Sequence, residues 1–280
     1  MSVKVPQEMP RQLTPPDEVA EHLLDTPTQQ SPAELLASSA HRPFPVPQNR
    51  PWVMAQTWQR LLFVHYPVPV AMLRPLIPAQ LEIDTFEGDA WIGIVPFLMT
   101  GVRLRGFPSV PGTATFPELN VRTYVRHGDK SGVWFFSLDA ANPLAVIVAR
   151  QLFNLPYFHA DMAIERDGDT TNYTSTRTHR NASSANYDVT YRPTDIVQSY
   201  AQDSLDTWFT ERYVLYTANG RGKVFIGHIT HQPWQLQPAE VDIRTDTTAQ
   251  AAGITLPDTT PIVHYAHHTD VLAWMIEPIT

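Results

Sequence analysis

The sequence predicts an α+β protein built on one large, mainly antiparallel β-sheet with a few flanking helices. Strand-like runs rich in aromatic and β-branched residues follow one another from Trp52 onward. Short turn signals, rather than long helical crossovers, join most of these runs, and few segments have helical periodicity. This arrangement is typical of the α+β class. Because a sheet this extensive has to curl or close, we expect a barrel- or cone-like core.

The first half of this region alternates strands with tight turns and two helices. A short helix is predicted over 69–77. A longer one is predicted over 142–153, where Asn142 can cap the helix and Pro143 can occupy its first position. The strands are predicted over 57–66, over 81–86 and 91–104 (a strand pair joined by a Glu-Gly turn), and over 116–125 and 133–140.

The second half has the same character, with a short helix over 203–210 and an Asn219-Gly220 pair that favours a tight turn. We find no internal repeat. The strands are predicted over 157–165, 172–179, 187–192, 211–217, 223–232, 241–246, 262–268 and 271–277.

Residues 1–51 form a separate, proline-rich segment, which we expect to be a largely disordered or extended arm before a single domain over 52–280. Two short helices fit within it, over 17–24 and over 32–40, the second with Ser31 as its cap. The arm is either a solvated tail or a segment that packs on a partner subunit in a homo-oligomer.

Composition narrows the functional classes. The formal net charge of −8 argues against nucleic-acid binding, which needs a basic surface. The chain has no cysteine, and therefore no disulfide or thiolate nucleophile. It has no apolar run long enough to cross a membrane and no signal-peptide pattern, so we expect a soluble cytoplasmic protein. No GxSxG nucleophile elbow, P-loop or GxGxxG motif appears in the sequence, and no cofactor is predicted.

The run 116–125 carries an unusual polar face. Glu118, Asn120, Arg122 and Tyr124 alternate with Leu119 and other residues of the opposite face. One interpretation is a solvated outer face. The other, which we favour because aromatic residues occupy both faces of the next strand, is the wall of a polar, partly buried cavity.

A hairpin links this strand to 133–140. A four-residue loop over 128–131 would pair Arg122 with Ser137, Asn120 with Asp139 and Tyr124 with Phe135. Polar side chains would then face one another, with Asp139 diagonal to Arg122. A one-residue slip would instead place Arg122 beside an apolar side chain, so the pattern favours the first register.

The histidines and lysines of the sequence predict neither a metal site nor an amine nucleophile. His264 and His268 lie too far apart on a regular strand to share a metal ion, and no metal site is predicted. The only lysines are Lys4, Lys130 and Lys223, which lie in the arm, in a hairpin loop and beside a turn. An amine nucleophile has to be desolvated to be neutral near pH 7, so Schiff-base chemistry is not expected.

Several segments together resemble the YqjF-like family of uncharacterised bacterial proteins, over a span from about Pro51 to Pro278. The matching segments are 51–69, 81–99, 116–125, 132–140, 155–162, 210–216, 231–241 and 264–266. That family is similar in fold to acetoacetate decarboxylase, which implies a curled, cone-like antiparallel structure.

The resemblance also carries functional expectations. It implies that Glu118 matches an active-site glutamate of the decarboxylase and that Arg150 matches an arginine of the family. Tyr157 and Phe158 stand where the decarboxylase has its lysines. His267 and His268 stand where arginines would be expected.

Three hypotheses follow. The first is a cofactor-free cavity that binds a small carboxylate- or carbonyl-containing molecule. The second is acid/base chemistry on a keto acid, with Glu118 or His159 as base, Tyr157 as acid and an arginine stabilising an enolate. The third is an assembly module that uses the arm. The candidate site comprises Glu118, Tyr157 and His159 as catalytic groups and Asn120, Arg122, Tyr124, Asp139 and Arg150 as ligand-binding groups.

Overall fold

The computed structural model describes residues 29–109 and 114–279. Thirteen strands join into one mixed sheet that curls into a ring without closing as a barrel. This confirms the predicted fold class. The strands are β1 (Met54–Val68), β2 (Glu82–Ile83), β3 (Ala90–Leu104), β4 (Phe116–His127), β5 (Lys130–Ala140), β6 (Tyr157–Asp167), β7 (Thr170–Arg177), β8 (Asn186–Pro193), β9 (Val214–Ala218), β10 (Val224–Thr230), β11 (Leu236–Asp246), β12 (Ile262–Ala273) and β13 (Glu277–Pro278).

The helices are short and lie at the margins of the sheet. Residues Ser39–His41 and Arg74–Leu76 form 3₁₀ turns. The α-helices are α1 (Pro32–Ala37), α2 (Val70–Leu73), α3 (Pro143–Phe153), α4 (Leu205–Thr210) and α5 (Thr248–Ala251). Among the described residues, no helix has the length and apolar character that crossing a membrane requires.

Strand β5 is the branch point of the sheet. One edge of β5 pairs antiparallel with β4. Its other edge is shared, because Val133 and Trp134 pair with β9 and Leu138–Ala140 pair with β6, both in parallel. A further contact between β10 and β12 brings distant parts of the sheet together. The resulting curl encloses the space between β1, β3, β4, β5 and α3.

The predicted helices are present where their capping signals lie. The Asn142 side chain accepts hydrogen bonds from the backbone N–H groups of Leu144 and Ala145 at the start of α3. Ser31 and Glu34 form a capping box on α1. The run 91–104 forms a strand as predicted, but the strand β2 within 81–86, which the sequence predicts to pair with it across a tight turn, pairs with β4 instead. The helix predicted over 17–24 lies outside the described residues.

Residues 29–51 pack against the sheet, whereas the sequence predicted a largely extended arm through residue 51. The backbone N–H of Gln30 donates to Asp270 Oδ2 at 2.7 Å. Leu35 of α1 is only 3% exposed and belongs to an apolar cluster with Trp274. This part of the proline-rich segment is therefore attached to the β-rich body.

The predicted register of the β4–β5 hairpin is wrong. The connecting loop has two residues, Gly128 and Asp129, so His127 pairs with Lys130 and Arg122 with Phe135. A β-bulge follows between Arg122 and Val121, and it shifts the pairing by one residue. Beyond it, Leu119 rather than Asn120 is opposite Asp139.

Candidate functional site

The curled sheet encloses a cavity of about 410 Å³. Alternate residues of β4 point inward, so Phe116, Glu118, Asn120 and Arg122 all line the cavity. We call the three polar residues, Glu118, Asn120 and Arg122, the polar track. The space is bordered mainly by apolar side chains from the strands and from α3. Its apolar lining includes Trp58, Leu61, Val95, Phe97, Met99, Val133, Phe135, Leu138, Ala145, Ala149, Phe153, Leu155, Leu215 and Trp234.

The register explains why the polar track is isolated. On the β3 side, Phe97 is opposite Glu118 and Val95 is opposite Asn120. On the β5 side, Leu138 is opposite Asn120. Each polar group of the track therefore lies between apolar neighbours, where the loss of hydration has to be offset by hydrogen bonds or by a bound molecule.

Glu118 is buried at one end of this track, with 2% of its surface exposed. The Tyr157 hydroxyl donates a hydrogen bond to its Oε2 at 3.0 Å. Burial raises the pKa of Glu118 to about 8, although hydrogen bonds from Tyr157 and Asn120 act in the opposite direction. Glu118 therefore carries a proton at neutral pH and can donate a hydrogen bond into the cavity.

Arg122 is a buried cation, 9% exposed, that no described carboxylate neutralises through an ion pair. Its guanidinium lies over the rings of Phe63, at 5.5 Å, and Tyr124, at 5.8 Å. Among the described residues, no group forms a hydrogen bond with its Nε or with Oδ1 of the adjacent Asn120. The cavity therefore presents unsatisfied polar atoms beside an uncompensated positive charge.

Arg212 adds a second guanidinium that the sequence did not predict. It lines the same cavity, and its ion pair with Asp84 spans 2.6 Å. Its Nη2 has no partner, and its guanidinium lies 4.9 Å from the Tyr124 ring centroid. Burial is the main cause that lowers its pKa, and the nearby Arg122 adds to the effect. The only signal in the sequence was its position inside the matching segment 210–216.

Tyr124 does not line the cavity, but the guanidinium groups of Arg122 and Arg212 both lie over its ring. It is fully buried, and its hydroxyl lies 2.7 Å from Nε2 of His65. The His65 ring stacks on Phe209 at 3.7 Å. Burial, together with the charge of Arg122, lowers the pKa of His65 well below its ordinary value, so this histidine is neutral.

Three other predicted site residues lie outside the cavity lining. Asp139 forms a buried ion pair with Arg177, at 2.8 Å, because the bulge turns it away from Arg122. Arg150 donates to the backbone carbonyl of Tyr157 at 2.5 Å. His159 stacks on the His179 ring at 5.3 Å. Of the eight predicted residues, the structure thus brings together Glu118, Asn120, Arg122 and Tyr157.

The described lining of the cavity contains no lysine. Lys130 lies beside Asp129 at the hairpin, and Lys223 lies over the ring of Phe225. Lys4 is outside the described residues. Within the described part of the chain, no three histidine, aspartate or glutamate side chains are grouped closely enough to hold a metal ion. His264 instead contacts Asp206 at 2.8 Å.

Known structures share this fold. The enduracididine biosynthesis enzyme MppR complexed with pyruvate has a TM-score of 0.59 and 9% identity, over 83% of this chain and 92% of that chain. Acetoacetate decarboxylase from Legionella pneumophila has a TM-score of 0.54 and 13% identity, over 92% of this chain and 98% of that chain. Identities this low show a common fold alone.

Sequence relatives are much closer. The chain is 49% identical to the uncharacterized protein YqjF of Bacillus subtilis (strain 168) over 223 residues, which covers 80% of this chain and 91% of the relative. The model of DUF2071, a family described as an uncharacterized conserved protein, matches residues 55–270. With its acetoacetate decarboxylase-like fold, the chain belongs to the DUF2071 family.

Proposed function

We propose that this protein binds a small carboxylate- or carbonyl-containing molecule in the cavity beside β4, without forming a Schiff base. The observation that carries the proposal is Arg122, a buried cation that forms no ion pair with a carboxylate among the described residues and that lines a mainly apolar cavity. A buried charge is costly unless a counter-ion compensates it. An anionic ligand would supply that counter-ion, and a guanidinium suits a carboxylate because its donors match the two oxygens.

Neighbouring groups support the same type of ligand. Arg212 brings a second guanidinium with an unpaired nitrogen, while Asp84 offsets one of the two charges. Glu118, protonated at neutral pH, can donate to a carbonyl oxygen rather than repel it. The MppR structure, which shares the fold, is complexed with pyruvate. That ligand makes 2-oxo acids suitable probes for this chain.

The first test is ligand-induced stabilisation. We expect a panel of 2-oxo and simple carboxylic acids to contain a member that raises the melting temperature by about 5 °C near saturation. Arg122→Met should lose this shift, and its unliganded form should be more stable than the parent by about 1–3 kcal/mol, because an uncompensated buried charge has been removed. Differential scanning fluorimetry and urea unfolding measure the two effects.

Arg126→Met is the matched control. Arg126 is on the same strand, but its side chain is half exposed and pairs with Glu82, so this variant should keep the ligand response. The proposal fails if no acid in the panel stabilises the parent, or if Arg122→Met responds to ligand as the parent does.

A second candidate function is acid/base catalysis on a bound keto acid, which the raised pKa of Glu118 favours. In its ionised form, whose fraction rises as pH approaches and passes 8, Glu118 would take a proton from the carbon beside the carbonyl. Arg122 would stabilise the enolate, and Tyr157 would donate a hydrogen bond to the Glu118 carboxylate. His159 and Arg150, also considered for these roles, lie outside the described cavity lining. The proposal therefore rests on the remaining three residues.

Hydrogen–deuterium exchange at that carbon, followed by NMR, tests this function. We expect the parent to accelerate exchange and Glu118→Gln to bind the keto acid but lose at least about 100-fold in exchange rate. Equal exchange by both proteins, or none by the parent, would leave binding as the function.

A further inference from the structure

We infer that the ligand of this cavity is amphipathic, with a carboxylate or carbonyl head at Arg122 and a hydrocarbon body that extends past Glu118. This inference rests on the proposed binding function and deepens it. Three observations favour such a ligand over a molecule of the size of pyruvate. Polar and apolar residues line separate parts of the cavity, the cavity is long and large, and its exposed end is apolar.

Polar and apolar groups are separated along the cavity. The register of β3 and β4 places Gly93 beside Arg122, and Met99 beside Phe116, with Val95 and Phe97 between them. Beyond Phe116 the lining continues to Val102, Arg103 and Leu104 at the end of β3. A ligand whose head contacts Arg122 therefore meets a mainly apolar wall once it passes Glu118.

The distances require a longer molecule than a three-carbon acid. Arg122 and Glu118 are four residues apart on β4, which corresponds to roughly 13 Å of strand rise. Phe116 lies a further two residues away, about 7 Å. A single ligand that contacts both polar groups and then reaches the apolar wall therefore needs an extended chain on the order of fifteen carbons.

The volume agrees with this length. At about 30 Å³ per water molecule, the 410 Å³ cavity is far larger than a three-carbon acid needs. It falls in the range of about 300–1,000 Å³ that encloses ligands of drug size. A mainly apolar wall offers few partners to ordered water, so hydrocarbon is the filling that it favours.

The outer end of the cavity is also apolar. Three large hydrophobic residues of its lining are more than half exposed: Leu104 at 54%, Phe107 at 68% and Leu144 at 55%. On α3, the small residues Ala145 and Ala149 face the cavity and leave room for a chain to pass. The end of a hydrocarbon body would cover part of this exposed apolar surface.

Titration calorimetry with straight-chain 2-oxo acids of three to sixteen carbons tests the inference, because only the longer members reach past Glu118. Each added methylene should tighten binding by about threefold to fourfold, which is the gain from burying one CH₂ group. Ala145→Phe narrows the apolar part of the cavity, so it should flatten this dependence and leave the affinity for the three-carbon acid within about twofold. Ala149→Leu offers a second, more conservative obstruction if the first variant folds poorly.

Ile147→Phe is the matched control, because Ile147 is on the same helix but is exposed and does not line the cavity. It should retain the chain-length dependence. Arg122-dependent binding that does not strengthen with chain length would overturn this inference and leave the proposed function intact. Absence of binding at every chain length would overturn both.

Discussion

At the scale of single residues, Glu118 shows what a strand pattern can and cannot establish. Alternation along 116–125 predicted that Glu118, Asn120 and Arg122 share a face, and all three line the cavity. The pattern could not show that Tyr124, at the next inward position, is covered by Trp208 and Phe209 of α4, which lies far away in sequence.

Asp139 and Arg212 show two other limits. A single inserted residue in β5 turns Asp139 away from the cavity, and aromatic residues on both faces of that strand hid the insertion from any polar–apolar pattern. Arg212 follows the short helix α4, where no periodicity indicates a direction. Its role depends on tertiary contacts with Asp84 and Tyr124.

The raised pKa of Glu118 makes stability depend on pH. Its ordinary pKa is 4.5, and its pKa in the folded protein is about 8. Between these values the folded state holds one proton more than the unfolded state, so this group lowers stability as pH rises. The stability that the neutral Glu118 carboxyl contributes to the folded protein is fully present below pH 4.5 and is lost as pH rises through 8.

Glu118→Gln should remove this dependence. We expect the parent to lose up to about 1.4 kcal/mol per pH unit relative to the variant between pH 5 and pH 8, with no further change well above pH 8. Urea unfolding of both proteins at several pH values measures the difference. A difference that stays constant over this range would show that Glu118 is not held in its neutral form.

At the scale of elements, helix starts were the most predictable features and strand pairing the least. Asn142 and Ser31 sit at the predicted helix starts because capping depends on local sequence alone. The loop of the β4–β5 hairpin has two residues instead of four, since Gly128 adopts a positive φ of 60° and permits the tighter connection.

Gly132 reveals how closely β5 approaches β9. A Cβ atom at this position would lie 2.5 Å from the backbone oxygen of Val214, which cannot move aside as a flexible side chain could. We expect Gly132→Ala to cost about 1–3 kcal/mol of unfolding free energy through overpacking. Urea unfolding measures this, with Gly220→Ala as control because nothing lies within 4 Å of a Cβ there. Equal stability of the two variants would contradict the close approach.

At the scale of the whole molecule, the class of fold was predictable, but the pairing of strands that are distant in sequence was not. The density of strands and turns predicted a large curled sheet, and the ring of thirteen strands confirms it. The parallel pairs that β5 makes with β6 and β9 depend on contacts between distant parts of the chain. No local pattern contains that information.

The packing of residues 29–51 gives a prediction at this scale. Leu35 fixes α1 to the apolar cluster that includes Ala55, Leu272 and Trp274, so Leu35→Ala should destabilise the whole domain by about 2–4 kcal/mol. Ala33→Ser, an exposed change in the same helix, should have little effect. Urea unfolding measures both. A loss below about 0.5 kcal/mol for Leu35→Ala would mean that the segment does not pack on the sheet in solution.

The bulge in β5 governs how positions of this strand are to be compared among relatives. Before Phe136, odd-numbered residues of β5 face the cavity, as Val133 and Phe135 do; after it the parity reverses, and Leu138 faces inward. β1 changes phase in the same way around Arg60, from Trp58 to Leu61. Cavity-facing positions of β5 and of β1 therefore follow two counting frames, and a single alternating frame would assign the positions beyond each irregularity to the wrong side.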